Sequence, residues 1–237
     1  MGCSTAVVTL RVEAVARMNP DILCLQETKL QEDQRSQEMV NLDLYHSFWD
    51  YATTRKGYSG VAVYARKTPQ ADRRGFGIER YDAEGRVIEL DYGRFVLFNI
   101  YFPNGQKDDE RLQFKLDFYR DFFVYADQLK RQGRSLIITG DFNTAHNEID
   151  LKNPQSNKDR SGFLRVERDV LDDIVSRGYV DTFRHLYPDT VKYSWWSYRF
   201  NARQNNAGWR IDYFFVSEDL VKDGVVKDAV ILNEIEG

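Results

Sequence analysis

Residues 135–143 read Ser-Leu-Ile-Ile-Thr-Gly-Asp-Phe-Asn, and this stretch indicates both a core strand and a polar strand end. The apolar run 136–138 predicts a buried strand. Asp141 and Asn143 are two positions apart, so in extended chain both side chains point to the same side. Gly140 beside them lets another group approach closely. A carboxylate and an amide placed together suit a reacting phosphate or a hard metal ion. The alternative is a turn, in which Asp and Asn are common.

The composition is that of an ordinary soluble globular protein. Of 237 residues, 42% are hydrophobic and 30% are charged, and no apolar run reaches the length of a membrane span. Cys24 lies in the apolar run 22–25, which predicts a reduced core thiol and a cytoplasmic location. The net charge of −4 gives no sign of nucleic-acid binding. It does not exclude such binding, because metal-binding carboxylates lower the charge while a basic rim can still bind phosphates.

The hydrophobic patterns predict more strands than helices, without strict alternation between them. The predicted strands are 21–26, 59–66, 86–91, 94–102, 136–138, 211–216 and 225–232, and the predicted helices are 9–18, 107–131 and 164–177. This order favours an α/β fold with two packed, mixed β-sheets flanked by helices over a doubly wound parallel sheet. The sequence has no repeat, low-complexity tract or clear linker, which predicts a single domain.

Polar side chains stand at four of the predicted strand ends. They are Glu27; Tyr101 with Asn104; Asp141 with Asn143; and Asp212. Each has a structural alternative: Glu27 as a helix-start acid, Tyr101 as a half-buried core aromatic, and Asp212 as the ion-pair partner of Arg210. Four such ends in one domain favour a shared site over four separate structural roles.

Six segments in this order resemble the exonuclease III family of metal-dependent DNA-repair nucleases, which includes the abasic-site endonucleases. They are Pro20–Lys29 (PDILCLQETK), Lys56–Val63 (KGYSGVAV), Asn99–Gly105 (NIYFPNG), Gly140–His146 (GDFNTAH), Asn201–Arg203 (NAR) and Gly208–Tyr213 (GWRIDY). The resemblance implies a four-layer sandwich with two β-sheets between helices. It also implies hydrolysis of duplex DNA 5′ to abasic sites, 3′–5′ exonuclease or 3′-trimming activity, and dependence on Mg²⁺ or Mn²⁺.

The resemblance also implies roles for the strand-end residues. Glu27 matches the family's principal metal ligand, an oxygen donor of the kind that Mg²⁺ prefers. Asp141 matches the group that positions or deprotonates the attacking water. The side chains of Asn143, Asn104 and Tyr101 would hydrogen-bond the phosphate as its charge develops. In the family, the residue that matches Asp212 orients a catalytic histidine.

Further residues match the family's DNA contacts. Trp195, Trp209 and Ile211 match an apolar pocket for a flipped-out abasic sugar, which a missing base makes easier to extrude. Ordinary core packing is the alternative for these three. Four more residues match positions that touch the DNA backbone: Tyr58, Lys56, Lys107 and Arg199.

The sequence departs from the family pattern at both ends. A Ser-Trp-Asn segment is missing from its start, and its last segment, Ile231–Gly237, has no following Ser-Asp-His motif. Residues 1–237 are therefore interpreted as a single domain truncated at both ends, in which Asp212 lacks its histidine partner. Loss of an acid–base group lowers rates by about 10²–10⁴-fold, so the activity of this chain is expected to be impaired.

The sequence is also compatible with two other functions. One is a catalytically impaired DNA-binding domain of the same fold, and the other is a phosphodiesterase of the same superfamily that acts on another phosphate ester. The expected partner is double-stranded DNA with abasic or 3′-end lesions, and the chain is expected to be a monomer without membrane association.

Overall fold

The computed structural model describes residues 18–233. Strands β1 to β11 are Ile22–Gln26, His46–Asp50, Val61–Ala65, Ala71–Arg74, Val87–Asp91, Val96–Tyr101, Leu136–Asp141, Tyr179–Asp181, Trp195–Trp196, Gly208–Trp209 and Asp212–Ser217. Helices α1 to α7 are Gln37–Val40, Glu79–Asp82, Asp109–Arg131, Pro154–Asn157, Arg165–Ser176, Thr182–Leu186 and Glu218–Lys222, and 3₁₀ turns lie at Glu32–Gln34 and Glu148–Asp150.

Six strands form a mixed sheet in the order β4-β5-β6-β7-β11-β8. The β6–β7 pair is parallel, and the other pairs are antiparallel. The parallel pair requires a crossover between its strands, which α3 supplies. Helices cover one face of this sheet and a second sheet covers the other. Its central strand β6 is therefore buried on both faces, which accounts for its nearly continuous apolar sequence, and it lies within the strand predicted at 94–102.

A second sheet has the order β1-β3-β2 and is antiparallel among these described strands. The predicted architecture of two packed sheets flanked by helices is confirmed, with the six-stranded sheet mixed and the described strands of the smaller sheet antiparallel. Val61 and Val63 of β3 pack against Ile88, Leu90 and Leu97 of the large sheet, so the two sheets lie face to face as predicted.

Helices flank the sheets, which confirms the predicted α/β class. The long helix α3 begins after Asp108, whose side chain accepts the Arg111 N–H (2.8 Å), and it packs Phe118 and Phe122 onto the large sheet. On the far side of the small sheet lies the short α1, where the Tyr64 hydroxyl donates to the Met39 carbonyl (2.7 Å). Within residues 18–233, no helix is long and apolar enough to cross a membrane.

Most predicted elements agree with the structure to within two residues, with three exceptions. The strand predicted at 136–138 continues three residues further, to Asp141. The helix predicted at 9–18 lies almost wholly outside the described residues. The strand predicted at 225–232 is not found, because this segment pairs with no strand within residues 18–233. Both edges of the preceding strand β11 are already paired, with β7 and β8. The segment is held by single contacts instead, such as the Lys192 ammonium to the Ile231 carbonyl (3.0 Å).

A buried asparagine joins the two sheets. The Asn99 carboxamide of β6 donates to the carbonyls of Leu25 (3.0 Å) and Ala62 (2.9 Å), and it accepts from the Gln26 side chain (2.6 Å). Asn99 is fully buried, so these bonds replace all the water that the carboxamide would otherwise bind. They fix the end of β1 against the middle of the large sheet.

Replacing this asparagine should weaken the fold. Asn99→Ala loses three hydrogen bonds worth about 1 kcal/mol each and leaves a small cavity, so we expect the free energy of unfolding to fall by about 2–4 kcal/mol. Urea denaturation followed by tryptophan fluorescence measures the change. The control is Asn41→Ala at an exposed position, where we expect about 0.5 kcal/mol or less. Equal losses in the two variants would contradict the role given to Asn99.

Candidate active site

Three of the predicted site residues form one row across the large sheet. Asp141 ends β7, and its register partners are Tyr101 at the end of β6 and Asp212 at the start of β11. Parallel strands end at the same edge of a sheet, and an antiparallel neighbour begins there. The phenol and the two carboxyl groups are therefore brought to one edge, although they are up to 111 positions apart in sequence. We call these three residues, Tyr101, Asp141 and Asp212, the carboxyl row.

Glu27 approaches this row from the other sheet. It directly follows β1 and has a positive φ of 54°, while the next residue, Thr28, donates its N–H to the Gly60 carbonyl (3.0 Å). Burial, followed by the charges of Glu27 and Asp141, raises the pKa of the Tyr101 phenol. Glu27 and Asp141 thus lie on the same side of the molecule, around one phenol, rather than on opposite surfaces. Lys29 pairs with the Glu27 carboxylate at 3.0 Å.

The carboxyl groups at this edge repel one another. Burial raises the pKa of Asp141 well above its usual range, and the charges of Asp212 and Glu27 raise it further. Burial raises the pKa of Asp212 to about 6, against a hydrogen bond with Ser194 that lowers it. A divalent cation at this edge would relieve the repulsion, since an opposite charge favours the ionised form of each carboxyl.

The donor set suits a metal that needs few protein ligands. Within residues 18–233, no three His, Cys, Asp or Glu side chains are grouped to hold a metal ion together. The Glu27 side chain is 47% exposed and presents hard oxygen donors at the mouth of the site. Mg²⁺ is commonly bound by one or two carboxylates and fills its other positions with water and substrate phosphate. A single accessible carboxylate is therefore compatible with Mg²⁺.

Two asparagines form a linked amide pair beside Asp141. The Asn143 N–H donates to Asp141 Oδ1 (2.7 Å), so it fixes the orientation of that carboxylate. The Asn143 carboxamide donates to the Phe102 carbonyl (2.9 Å) and accepts from Asn104 Nδ2 (3.1 Å). Each NH₂ group carries two hydrogens, so each asparagine keeps one further donor.

Gly140 was predicted to let another group approach the polar strand end, and the structure shows which group that is. A Cβ atom at this position would lie 1.8 Å from the Ile100 carbonyl oxygen, and the backbone has a φ of +142°. The group that approaches it closely is therefore the neighbouring strand β6 and not a ligand. Glycine is required here so that β6 and β7 can pair up to their polar ends.

A buried cation behind Tyr101 was not predicted from the sequence. Arg86 lies 4.9 Å from the centre of the Tyr101 ring, and its guanidinium donates to the Tyr101 carbonyl (2.9 Å) and to Glu84 (2.6 Å). The Tyr58 hydroxyl accepts from Arg86 (3.1 Å) and from Arg111 (2.8 Å). Tyr58 is thus held close to Tyr101 by two guanidiniums. Nothing in the local sequence around Arg86 distinguishes it from a surface arginine.

The three predicted pocket residues occupy two different environments. Trp195 and Trp209 face each other as register partners in the β9–β10 ribbon. Trp209 packs with Ile211 and Phe163 in a small apolar cluster, as the core-packing alternative has it. Trp195 is 43% exposed and lines a cavity of about 690 Å³ that also reaches Asp212. Of the three, Trp195 is the one that borders open space next to the carboxyl row.

The structural alternative for Asp212 is wrong. Arg210 is fully buried, and its guanidinium donates to Asp150 (2.8 Å) and to both oxygens of Asp181 (3.1 and 2.8 Å). The two aspartates satisfy the arginine, so it does not pair with Asp212. Asp212 interacts with Ser194 instead, whose oxygen accepts the Asp212 N–H (3.2 Å).

The remaining basic residues lie on the surface. Lys56, Lys107 and Arg199 are all exposed, Lys107 pairs with Asp108 at 3.2 Å, and Arg199 belongs to the irregular segment 197–206. Their positions leave them accessible to a large ligand, but the structure does not join them into one cluster with the carboxyl row.

Several known proteins are similar to this chain in sequence. The profile of the Endonuclease/Exonuclease/phosphatase family matches residues 11–232. The exodeoxyribonuclease of Bacillus subtilis (strain 168) is 43% identical over 218 residues, which cover 92% of this chain and 84% of that protein. A DNA-(apurinic or apyrimidinic site) endonuclease of Dictyostelium discoideum is 40% identical over 212 residues, which cover 88% of this chain and 58% of that protein.

A solved structure is similar to this chain in fold. The 3′ phosphatase NExo from Neisseria, bound to a product DNA hairpin, superposes with a TM-score of 0.82 at 28% identity, over 91% of this chain and 84% of that one. The matched range contains every residue of the carboxyl row, Glu27 and both asparagines. On these matches, the chain belongs to the Endonuclease/Exonuclease/phosphatase family.

Proposed function

We propose that this chain is a Mg²⁺-dependent DNA-repair phosphodiesterase that cleaves 5′ to abasic sites in duplex DNA and trims 3′ ends. The proposal is carried by one observation: Glu27 from one sheet meets Tyr101, Asp141 and Asp212 from the other at a single edge. The relatives named as an exodeoxyribonuclease, an abasic-site endonuclease and a DNA-bound 3′ phosphatase support the reaction and the substrate class.

Glu27 would hold the metal ion. Nucleases of this family are in general metal-dependent, and the single exposed carboxylate suits Mg²⁺ among the possible ions. The chemistry that such an ion supplies when bound is polarisation of a phosphoryl oxygen and stabilisation of the leaving oxyanion. The positive φ of Glu27 turns its side chain away from the path of β1 and toward the edge where Tyr101 lies.

Asp141 would position the attacking water and accept its proton. The Asn143 N–H bound to one carboxylate oxygen fixes the plane of the group, so the second oxygen has a defined direction. A fixed acceptor lowers the entropic cost of bringing water into line with the phosphate. Asp212, the register partner of Asp141, adds a second carboxyl that can share a proton with it.

Asn104, Asn143 and Tyr101 would stabilise the phosphate as negative charge develops. Each asparagine keeps one amide hydrogen after its bonds within the protein are counted, and the Tyr101 hydroxyl stands in the same row. Donors that the fold holds in place need no reorganisation at the moment of reaction, which makes them effective for charge stabilisation.

The duplex would lie over the sheet edge. Trp195 and its cavity beside Asp212 would receive the abasic sugar, with Trp209 paired to Trp195 in the ribbon and Ile211 packed against Trp209. The DNA backbone would contact Tyr58, Lys56, Lys107 and Arg199. The monomeric state and the cytoplasmic location stay predictions of the sequence.

Removing either key carboxylate should abolish metal-dependent cleavage. We expect Glu27→Gln and Asp141→Asn to lower the rate of cleavage of an abasic-site duplex by at least about 10²-fold, because one loses the metal ligand and the other the acceptor for the proton of water. The measurement is single-turnover cleavage of a labelled duplex in Mg²⁺, with EDTA as the metal-free reference.

The matched control is Glu32→Gln, which changes an exposed carboxylate five residues further along the chain that pairs with Arg35. It should cleave at the rate of the unaltered chain. Cleavage that persists in EDTA, or that is the same in all three variants, would refute the proposed site. Binding of abasic duplex by the unaltered chain without any cleavage would favour the non-catalytic alternative.

Trp195 should carry the preference for damaged DNA. We expect Trp195→Ala to weaken binding of an abasic-site duplex about tenfold, since burying part of an indole contributes roughly 1–2 kcal/mol, and to leave binding of an intact duplex unchanged. Fluorescence anisotropy at fixed salt measures both affinities. The control is Phe214→Ala, another exposed aromatic side chain. An equal loss for both duplexes would remove the lesion pocket from the proposal.

A further inference from the structure

A buried lysine ends at the loop that carries Asn143. Lys115 of α3 donates from Nζ to the Asn143 carbonyl (2.8 Å) and to Glu167 Oε1 of α5 (2.5 Å). Both charged side chains are 0% exposed. Charged residues are almost never fully buried unless they are paired, so this pair is a specific feature of the fold.

The carboxylate of this pair is fully satisfied. Glu167 Oε1 also accepts from the Ser161 hydroxyl (3.0 Å), and Oε2 accepts the N–H groups of Gly162 (2.6 Å) and Leu164 (3.0 Å). Burying two charges costs about as much as their attraction returns, so such a pair contributes little net stability compared with apolar residues of the same size. Stability alone therefore does not account for Lys115.

Lys115 is one of four groups that hold Asn143 in place. The φ of Asn143 is +51°, a left-handed conformation that is uncommon for a residue other than glycine. Its N–H is held by Asp141 and its carboxamide by Phe102 and Asn104, while Lys115 holds its carbonyl. Asp141, Phe102 and Asn104 lie at the ends of β6 and β7 or shortly after them. Lys115 is the one of these four partners that comes from a helix.

We propose that Lys115 is a positioning residue: through the Asn143 carbonyl it holds the Asn143 carboxamide and the Asp141 carboxylate in the geometry that the reaction needs, with Glu167 as its counter-ion. The inference rests on the proposed function, because it assigns those two groups to catalysis. The charge of Lys115 also lowers the pKa of Asp141, against the larger opposing effect of burial. Lys115 itself does not touch the row of reacting groups.

The test is the double variant Lys115→Met/Glu167→Gln. Methionine fills the space of the lysine stem, and glutamine keeps an oxygen that accepts from Gly162 and Leu164, so no charge is left buried alone. We expect kcat for abasic-site cleavage to fall about 10–100-fold with KM changed less than about threefold, as for other residues that orient a site from behind.

The chain offers a matched control. Arg177 and Asp127 form a second ion pair (3.0 Å) between the ends of the same two helices, and the Tyr179 hydroxyl also donates to Asp127 (2.9 Å). Arg177→Met/Asp127→Asn removes that pair and keeps the acceptor for Tyr179. Both double variants should lose a few degrees in Tm at most, but only the first should lose kcat. An equal loss of kcat in both would overturn the proposal.

A second readout does not depend on activity. In ¹⁵N–¹H spectra, the backbone and side-chain amide signals of Asn143 should shift in Lys115→Met/Glu167→Gln and stay in place in the control. If the unaltered chain cleaves no DNA, the proposed function fails, while this readout still tests the anchoring of Asn143. Unchanged Asn143 signals in the first variant would overturn the positioning role whatever the activity.

Discussion

The buried carboxamide of Asn99 fixes how the two sheets meet, and the position of Glu27 relative to the candidate catalytic groups of the large sheet depends on that contact. It binds Leu25 and Gln26, the two residues directly before Glu27. A shift of β1 by one residue would turn the side chain of Gln26 to the other face of its sheet, since side chains alternate along a strand, and would displace Glu27 from the site edge. A polar group in an otherwise apolar interface specifies one register, because any other register leaves it unsatisfied.

The site edge concentrates features that cost stability. Glu27 and Asn143 both have positive φ values, and the carboxyl groups of Asp141 and Asp212 are half-buried side by side. Strained backbone and like charges persist where the surrounding structure holds them in place, which is typical of functional sites. Here the supports are cations behind the edge: a guanidinium under the Tyr101 ring and an ammonium on the Asn143 carbonyl.

The sequence predicted the elements that have strong periodicity or clear boundaries. The helix predicted at 107–131 is found within two residues of its predicted bounds, and the strand predicted at 136–138 begins at its predicted residue, because caps and apolar runs act locally. Other features could not be predicted. Strand β4 reads Ala-Asp-Arg-Arg and is a strand only because β5 pairs with it. Arg86 and Lys115 read as surface residues, since burial of a charge depends on partners distant in sequence.

The segment from Gly208 to Asp212 shows how a structural ion pair sets the register of the candidate site. The Arg210 N–H donates to the Asp150 carbonyl (2.7 Å), its guanidinium binds two aspartates, and the Ile211 carbonyl accepts the Phe142 N–H (2.8 Å). These contacts fix the chain immediately before β11, so the first residue of that strand is placed opposite Asp141. Because a buried guanidinium left without its partners is costly, the segment has little freedom to slide. The arginine thus acts on the candidate site by holding the register of the strand and needs no contact with the candidate catalytic groups.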